Sequence, residues 1–354
     1  MLRNQYYLLF CLCTFVIATL FTYVLQRHCY NCPLLNHRAS DPDPTLILVL
    51  TYLRSGSTLT GDILQQSPKS FYMYEPLRSY KSNIFLDGQI CNIFTMNCSK
   101  HSTERILTVM EDLFRCRLQQ HKLQVLLPRK HSVAVMSVIP FCKSRPGFDT
   151  CMKKLQTLCY QSQSIILKTI RLSMEIMPRL LKKFPGLKIV HLLRDPRGII
   201  DSRRRGGFLR NTGKAQSSKS LCTLIRKNVQ YSKTLQKRFP NSITTVLYED
   251  IAKNPMDLSN KLYRDLDLEY SDNFKEWIFN HTSAGTPNNS YYGTVRSNSS
   301  KTSQSWRKRL SFKDVKIIED ECGDVIDLLG FRKVIDVEDQ KNTDQTLKVR
   351  DVDL

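Results

Sequence analysis

Residues 46–60 read Leu46-Ile-Leu-Val-Leu-Thr-Tyr-Leu-Arg-Ser-Gly-Ser-Thr-Leu-Thr60, and the reading of the whole fold turns on this stretch. Leu46 to Tyr52 is a short uninterrupted apolar run of the kind found in a strand covered on both faces. A tight turn with one glycine follows, then the start of an amphipathic helix. Strand, turn and helix N-terminus together aim backbone N–H groups at an anion, with Ser and Thr hydroxyls and the basic Arg54 to complete the cradle. The plainer alternative is an ordinary strand-to-helix turn in which Ser55 and Ser57 only cap the helix. A nucleotide triphosphatase loop would need Gly-x-x-x-x-Gly-Lys-Ser/Thr, and this segment lacks both the leading glycine and the lysine.

Working outward, runs of the same type recur at Ser164 to Lys168, Leu187 to Leu193 and Ile243 to Tyr248, with helical patterns between them at Ser173 to Lys183 and Leu221 to Arg238. Strands alternating with helices predict an α/β fold whose parallel sheet is flanked by helices. Phe85 to Thr157 is irregular and holds Cys91, Cys98, Cys116, Cys142 and Cys151, with Cys159 just beyond. It reads as a helical insertion stapled by disulfides whose pairing spacing does not fix. Residues 338–354 are polar enough for a mobile tail.

A second turn tests the first. Ile189-Val-His-Leu-Leu-Arg-Asp-Pro-Arg-Gly-Ile-Ile-Asp-Ser202 again runs strand, turn, helix, with Pro196 suited to the first helical turn. Alone, Arg-Asp-Pro-Arg is a solvated helix start with a local ion pair. Two phosphate-type turns at the C-terminal ends of two parallel strands, where open α/β sheets bind ligands, are hard to explain as coincidence.

The chain has 354 residues, 41% of them hydrophobic, and 53 Lys+Arg against 32 Asp+Glu, for a net charge of +21. That balance excludes a disordered chain and a polytopic membrane protein, and it predicts anionic partners. Tyr7 to Leu25 is nearly all apolar and long enough to span about 30 Å of hydrocarbon. A cleaved signal peptide has an apolar region of roughly 7–15 residues and a small-residue cleavage site. Here the run ends Val24-Leu25-Gln26-Arg27, so it reads as an uncleaved anchor. Arg3 on one side balances Arg27 on the other, and charge does not orient the span. Sequons at Asn97, Asn280, Asn288 and Asn298, and the cysteines beyond the apolar run, favour an oxidising lumen and weaken a nucleic-acid reading. The expected organisation is a cytoplasmic tail (1–6), a transmembrane signal-anchor (7–25), a stem (26–44), a luminal domain (45–333) and a polar C-terminal tail (334–354). Cys29-x-x-Cys32 in the stem has no second metal-type pair and reads as a stem disulfide or an interchain bridge, so a homodimer is an open expectation.

The form Tyr-x-Arg-Ser-Gly-Ser-Thr at 52–58 is similar to the 5′-phosphosulfate loop of sulfotransferases, which use 3′-phosphoadenylyl sulfate (PAPS) and need no divalent metal for that donor. Arg194 and Ser202 resemble the same enzymes' 3′-phosphate pair. The blocks Phe71-Tyr-Met-Tyr-Glu-Pro-Leu77, Leu167-Lys-Thr-Ile-Arg171, Leu247-Tyr-Glu-Asp-Ile-Ala-Lys-Asn-Pro255 and Ser305-Trp-Arg-Lys-Arg-Leu310, followed by Leu329-Gly-Phe331, extend the likeness over about 45–333. In order and content they resemble the Golgi carbohydrate 6-O-sulfotransferases that act on galactose, N-acetylgalactosamine or N-acetylglucosamine. The resemblance implies the PAPS sulfotransferase fold and a single-pass type II Golgi membrane enzyme with a luminal catalytic domain. The implied acceptor is a glycan or glycosaminoglycan such as chondroitin or keratan sulfate. Other luminal sulfotransferases, acting on tyrosine or heparan sulfate, share the donor loops, and a non-catalytic basic glycan-binding protein would share the charge.

Carried onto this chain, the resemblance assigns donor binding to Arg54, Ser55, Gly56, Ser57, Thr58, Leu59 and Thr60 in the first turn. In the second it assigns Arg194, Asp195, Pro196, Arg197, Gly198 and Ser202. It makes Glu75 the base, with Arg54 and Lys168 stabilising charge on the bridging oxygen. Against these stand plainer readings: Glu75 as a structural carboxylate paired with Arg78 or Arg171, and Lys168 as a snorkelling strand-end lysine. His191 reads as a core histidine. Trp306 and Arg307 are candidates to close over the nucleotide. The runs Arg203 to Arg205 and Lys214 to Lys227 either line an acidic-glycan groove or form a solvated face.

Overall fold

The apolar run at 46–50 becomes the middle strand of a five-stranded sheet. The structure is a computed structural model that describes residues 43–120, 131–142, 145–286 and 293–351. The strands are β1 (Thr45–Leu50), β2 (Ser70–Tyr74), β3 (Asn83–Leu86), β4 (Gln89–Asn92), β5 (Cys98–Lys100), β6 (Ser164–Thr169), β7 (Lys188–Leu193) and β8 (Ile243–Leu247). The main sheet runs β2-β6-β1-β7-β8 with every pair parallel. All four apolar runs singled out in the sequence are therefore in it.

The reason is visible in β1. Leu48 and Leu50 pack into the core on one face, Ile47 and Val49 into the core on the other, and all four are buried. A strand covered on both sides has no polar face to alternate with, so it reads as one apolar run. At roughly 1.5–3 kcal/mol for each large aliphatic side chain removed from water, this strand alone anchors the sheet.

Helices α1 (Ser57–Leu64), α2 (Pro196–Arg205), α3 (Gly213–Arg238) and α4 (Tyr248–Lys253) follow β1, β7, α2 and β8. Farther along are α5 (Ser299–Gln304), α6 (Trp306–Arg309) and α7 (Phe312–Leu328). A disulfide between Cys222 and Cys322 fastens α3 to α7.

Two expectations are corrected. The segment from Phe85 is not helical throughout. It begins as the antiparallel sheet β3-β4-β5, turning at Asp87-Gly88 with Gly88 at φ 70°, and only then becomes helical at Glu104–Phe114 and Arg145–Tyr160. Its disulfides are Cys91–Cys98, Cys116–Cys159 and Cys142–Cys151.

The C-terminal segment, as far as 351, is docked rather than a mobile tail. Lys348 bridges to Phe331, and the buried Arg307 donates to the carbonyls of Asp339 (2.8 Å), Gln340 (2.9 Å), Asn342 (2.5 Å) and Gln345 (2.7 Å). Backbone acceptors hold much of this segment, and among its described residues only Val334 and Leu347 anchor it in the apolar core, which is why its polar composition misled.

From Pro44 onward the described residues form one compact unit. The expected anchor at 7–25 and the stem cysteines lie outside the described residues, among which no helix is long and apolar enough to cross a membrane.

Candidate active site

The site lies above the C-terminal ends of β1, β2, β6 and β7. After β1 the chain turns within 51–56. Ser55 N–H and Oγ both donate to the Tyr52 carbonyl (3.1 and 2.8 Å), and Thr51 Oγ1 donates to the Leu192 carbonyl of β7 (3.0 Å). Arg54 and Gly56 take left-handed backbone angles, φ 74° and 93°. At Gly56 the conformation and the space both exclude a side chain, since a Cβ would lie 2.1 Å from the Tyr248 ring. Gly56 caps α1 without a side-chain oxygen, so no side-chain cap hydrogen bond covers the first N–H groups of the helix.

The second turn meets the first. Asp195 caps α2 by accepting the Arg197 N–H (2.9 Å). Arg194, just before it, donates from Nη1 to the Arg54 carbonyl (2.9 Å), and Arg54 Nε donates to Ser202 Oγ (3.0 Å). The Arg194 guanidinium lies 4.4 Å from the centre of the Tyr248 ring. Gly198 leaves it room, for a Cβ there would sit 3.1 Å from Arg194 Nε.

The third part comes from β2 and β6, paired so that Tyr74 lies opposite Lys168. Glu75, at φ 51°, follows the end of β2. Its Oε1 accepts from Lys168 Nζ at 2.7 Å and its Oε2 from Arg171, while Lys168 Nζ stands 4.1 Å over the Tyr74 ring. Burial lowers the Arg171 pKa, against the pull of Glu75.

These three parts line one cavity of about 670 Å³. Besides Arg54, Lys168, Arg171 and Arg194 its wall carries Arg78, Arg205, Arg296 and Arg309, and Glu75 is its one carboxylate among the described residues. A cavity with that excess of cations is built for an anion.

Of the residues assigned from sequence, Arg54, Gly56, Ser57, Thr58, Leu59, Glu75, Lys168, Arg194 and Ser202 line this cavity. Ser55, Thr60, Asp195, Pro196, Arg197 and Gly198 do not. Ser55 is spent on the turn and Thr60 is fully buried beneath it. Arg197 is fully buried between Asp195 (2.9 Å), Glu319 (2.9 Å) and the Arg332 carbonyl (3.0 Å), with its guanidinium 4.6 Å from the Trp306 ring.

Trp306 and Arg307 are in the core and do not close over the cavity. Within the arginine run only Arg205 faces it. Arg203 is buried and donates to the Leu53 carbonyl (3.2 Å), buttressing the first turn, and Arg204 pairs with Asp201 (3.0 Å). Lys214 pairs with Asp314 at 2.7 Å. His191 bonds to Tyr52 and Ser232, each at 3.0 Å, and burial pushes its pKa down to about 3, so it is a neutral core group.

Sequence reasoning overlooked Tyr248 and Arg296. Tyr248 was visible as the first residue of the Tyr-Glu-Asp block at a strand end. Arg296 sits in a Ser/Asn-rich stretch without periodicity, and nothing there marked it.

A sulfotransferase domain model matches residues 44–330, which takes in every part of this site. The chain belongs to the sulfotransferase domain family. Within that family it groups with the carbohydrate sulfotransferases. It is 27% identical to carbohydrate sulfotransferase 1 of Danio rerio over 374 residues, covering 90% of this chain and 84% of that protein. It is 24% identical to carbohydrate sulfotransferase 4 of Mus musculus over 369 residues, covering 92% and 91%. Among solved structures, retinol dehydratase in complex with retinol and PAP aligns at TM-score 0.42 and 14% identity over 81% of this chain and 82% of that one. This sulfotransferase takes PAPS as its donor, the co-substrate that the resemblance of the two turns implied.

Proposed function

We propose that this sulfotransferase moves the sulfuryl group of PAPS to the 6-hydroxyl of a galactose, N-acetylgalactosamine or N-acetylglucosamine residue of a glycan, as in chondroitin or keratan sulfate. We place it in the Golgi lumen, held to the membrane by residues 7–25. One observation carries the reading. Two anion-binding turns close on each other through Arg54 to Ser202 and Arg194 to the Arg54 carbonyl, and a carboxylate, Glu75, opens into the same cavity.

The residues present fit a donor bearing several phosphate and sulfate charges. The wall is cationic, α1 begins without a capping side chain, and Arg194 Nε is buried with no hydrogen-bond partner. Arg54 and the first N–H groups of α1 hold the 5′-phosphosulfate. Arg194 and Ser202 hold the 3′-phosphate, with Tyr248 and Arg296 beside them. Glu75 takes the proton of the sugar hydroxyl as the oxygen–sulfur bond forms, and the bond from sulfur to the phosphate oxygen breaks. Arg54 and Lys168 stabilise the electron pair left on that oxygen. Lys168 is the hinge of this arrangement, since its contact with Glu75 ties the base to the transferring group.

Incubating the full-length protein with labelled PAPS and a panel of desulfated chondroitin, keratan and N-acetylglucosamine-terminated glycans, then mapping the label, tests this. Label at a 6-hydroxyl is expected. Label at another position overturns the regiochemistry, and no glycan labelling by protein that still binds PAPS overturns the acceptor class.

A further inference from the structure

Glu249 is a buried acid that the steps above leave unused. It opens α4 directly after β8, and its two oxygens accept the Asp195 N–H at 3.3 and 3.4 Å. Its Oε1 stands 3.7 Å from Arg194 Nε, the buried nitrogen that lacks a hydrogen-bond partner. Arg194 lines the anion cavity. Glu249 lines a second cavity of about 730 Å³ along β8 and not the first. Neighbouring residues of one helix start thus act on the same arginine, Tyr248 through its ring and Glu249 through its carboxylate.

We propose that Glu249 is a positioning residue for the donor, fixing Arg194 in the orientation that meets the donor phosphate. The inference rests on the reading that Arg194 holds that phosphate. At 3.7 Å the contact is longer than a hydrogen bond, so a small shift of the guanidinium is enough to make or break one, with the carboxyl ionised or neutral. An ionised Glu249 would also compete with the phosphate for the charge of Arg194. Burial resolves the conflict: it pushes the Glu249 carboxyl up to about 7, with Arg194 opposing and Asp195 adding. A phosphate on Arg194 brings further negative charge, so Glu249 takes a proton from solvent as the donor binds.

Among the other charged groups of that second cavity, Lys261 pairs with Asp265 (2.6 Å) and Arg350 donates to the Asp327 carbonyl (2.7 Å). Lys348 pairs with Asp250 (2.6 Å) and Asp351 (2.7 Å), and Arg307 donates to four carbonyls, among them Gln340 O at 2.9 Å. Lys253, on the same helix, also lines the second cavity. Helix α5, packed on α4, presents only Ser300, Ser303 and Gln304 to it.

The test is the affinity for PAP and the KM for PAPS between pH 6 and 8. In the wild type the PAP Kd should rise about tenfold over that range, because a group titrating near 7 is about nine-tenths ionised at pH 8. Glu249→Gln should stay flat at the wild-type acid value with kcat unchanged. Phosphates of the ligand titrate alike with both proteins, so the difference between them isolates Glu249. Glu249→Ala, which also removes the Asp195 acceptor, should raise the PAPS KM about tenfold with kcat intact, and Glu249→Gln should restore it at pH 6. A Glu249→Gln protein that keeps the wild-type slope overturns the proposal, and so does an unchanged KM in Glu249→Ala. If Glu249→Ala does not fold, Glu249→Gln alone decides. Arg194→Ala separates the two layers: unchanged PAP binding there sinks the donor-site reading, whereas weakened binding with an intact slope in Glu249→Gln sinks only this inference.

Discussion

Replacing Glu75 by Gln is the most informative single change, because the same carboxylate has a chemical and a structural task. Glu75 is 4% exposed and carries two ionic contacts, Lys168 at 2.7 Å and Arg171. The amide keeps the shape and one acceptor oxygen but removes the charge and turns an NH₂ toward a cation. Breaking a buried ion pair costs about 3–5 kcal/mol. Both cations also face the cavity, where water and the donor can compensate them, so about 1–3 kcal/mol is expected from the unliganded protein. A domain of this size should then melt several degrees lower, at roughly 2–4 °C per kcal/mol.

The kinetic effect should be larger. A positioned general base contributes about 10²- to 10⁴-fold, or roughly 3–5 kcal/mol of barrier. Donor affinity should move the other way, because Lys168 and Arg171 lose their internal counter-ion and face an anion in its place. Single-turnover transfer from labelled PAPS, PAP calorimetry and a thermal melt separate the three quantities. Transfer within tenfold of wild type, in protein that melts lower and still binds PAP, would falsify the base assignment. Glu75 would then be a structural carboxylate, the plainer reading of Glu-Pro-Leu.

The remaining predictions concern the frame. Gly56→Ala forces a Cβ to 2.1 Å from Tyr248 at a φ of 93°, so about 2 kcal/mol of stability and about tenfold in PAPS affinity should be lost together; a melt and KM like wild type would show that Tyr248 can step aside. Arg307→Ala removes the donor to four carbonyls of the C-terminal segment, and protease should cut within 334–351 while PAP binding persists; protection equal to wild type would refute the docking account. Removing Cys222 and Cys322 together opens a loop of sequence separation 100, for which about 4 kcal/mol of lost stability is expected in denaturant titrations; no shift in the midpoint would place the tie between α3 and α7 in packing alone.

The parts of the fold that were legible are those where one local signal suffices. β1, β6, β7 and β8 are buried on both faces and announce themselves as apolar runs. β2 (Ser70–Tyr74) was visible only as a motif, because Ser-Phe-Tyr-Met-Tyr is short and carries hydroxyls that blur its periodicity. The Asp87-Gly88 turn carries a hairpin signal that the reading of the cysteine-rich stretch overlooked. In the site, the residues of the two turns could be read, but their directions could not. Arg197 and Arg194 belong to one short motif, yet one is fixed inward by Asp195 and Glu319 while the other lines the cavity. Which arginine faces the ligand is set by Asp195 together with Glu319, and Glu319 lies 122 residues from Arg197, where no local pattern reaches.

The backbone explains why the site needs those distant partners. Arg54 and Glu75 are non-glycine residues in the left-handed region, each close to the C-terminal end of a strand, where such a conformation costs about 1–2 kcal/mol. In each case the chain turns at or just beyond the strand end, and the side chain lines the cavity. Neither reversal is held by its own neighbours alone. The Glu75 N–H donates to the Lys168 carbonyl of β6 at 2.9 Å, and the Arg54 carbonyl accepts from Arg194 at the end of β7 at 2.9 Å. The strain is thus offset by the neighbouring strands, and only once the parallel sheet has formed. A chain in which β6 and β7 failed to flank β1 and β2 would have no reason to keep either turn. Assembly of the sheet and assembly of the anion cavity are therefore the same event.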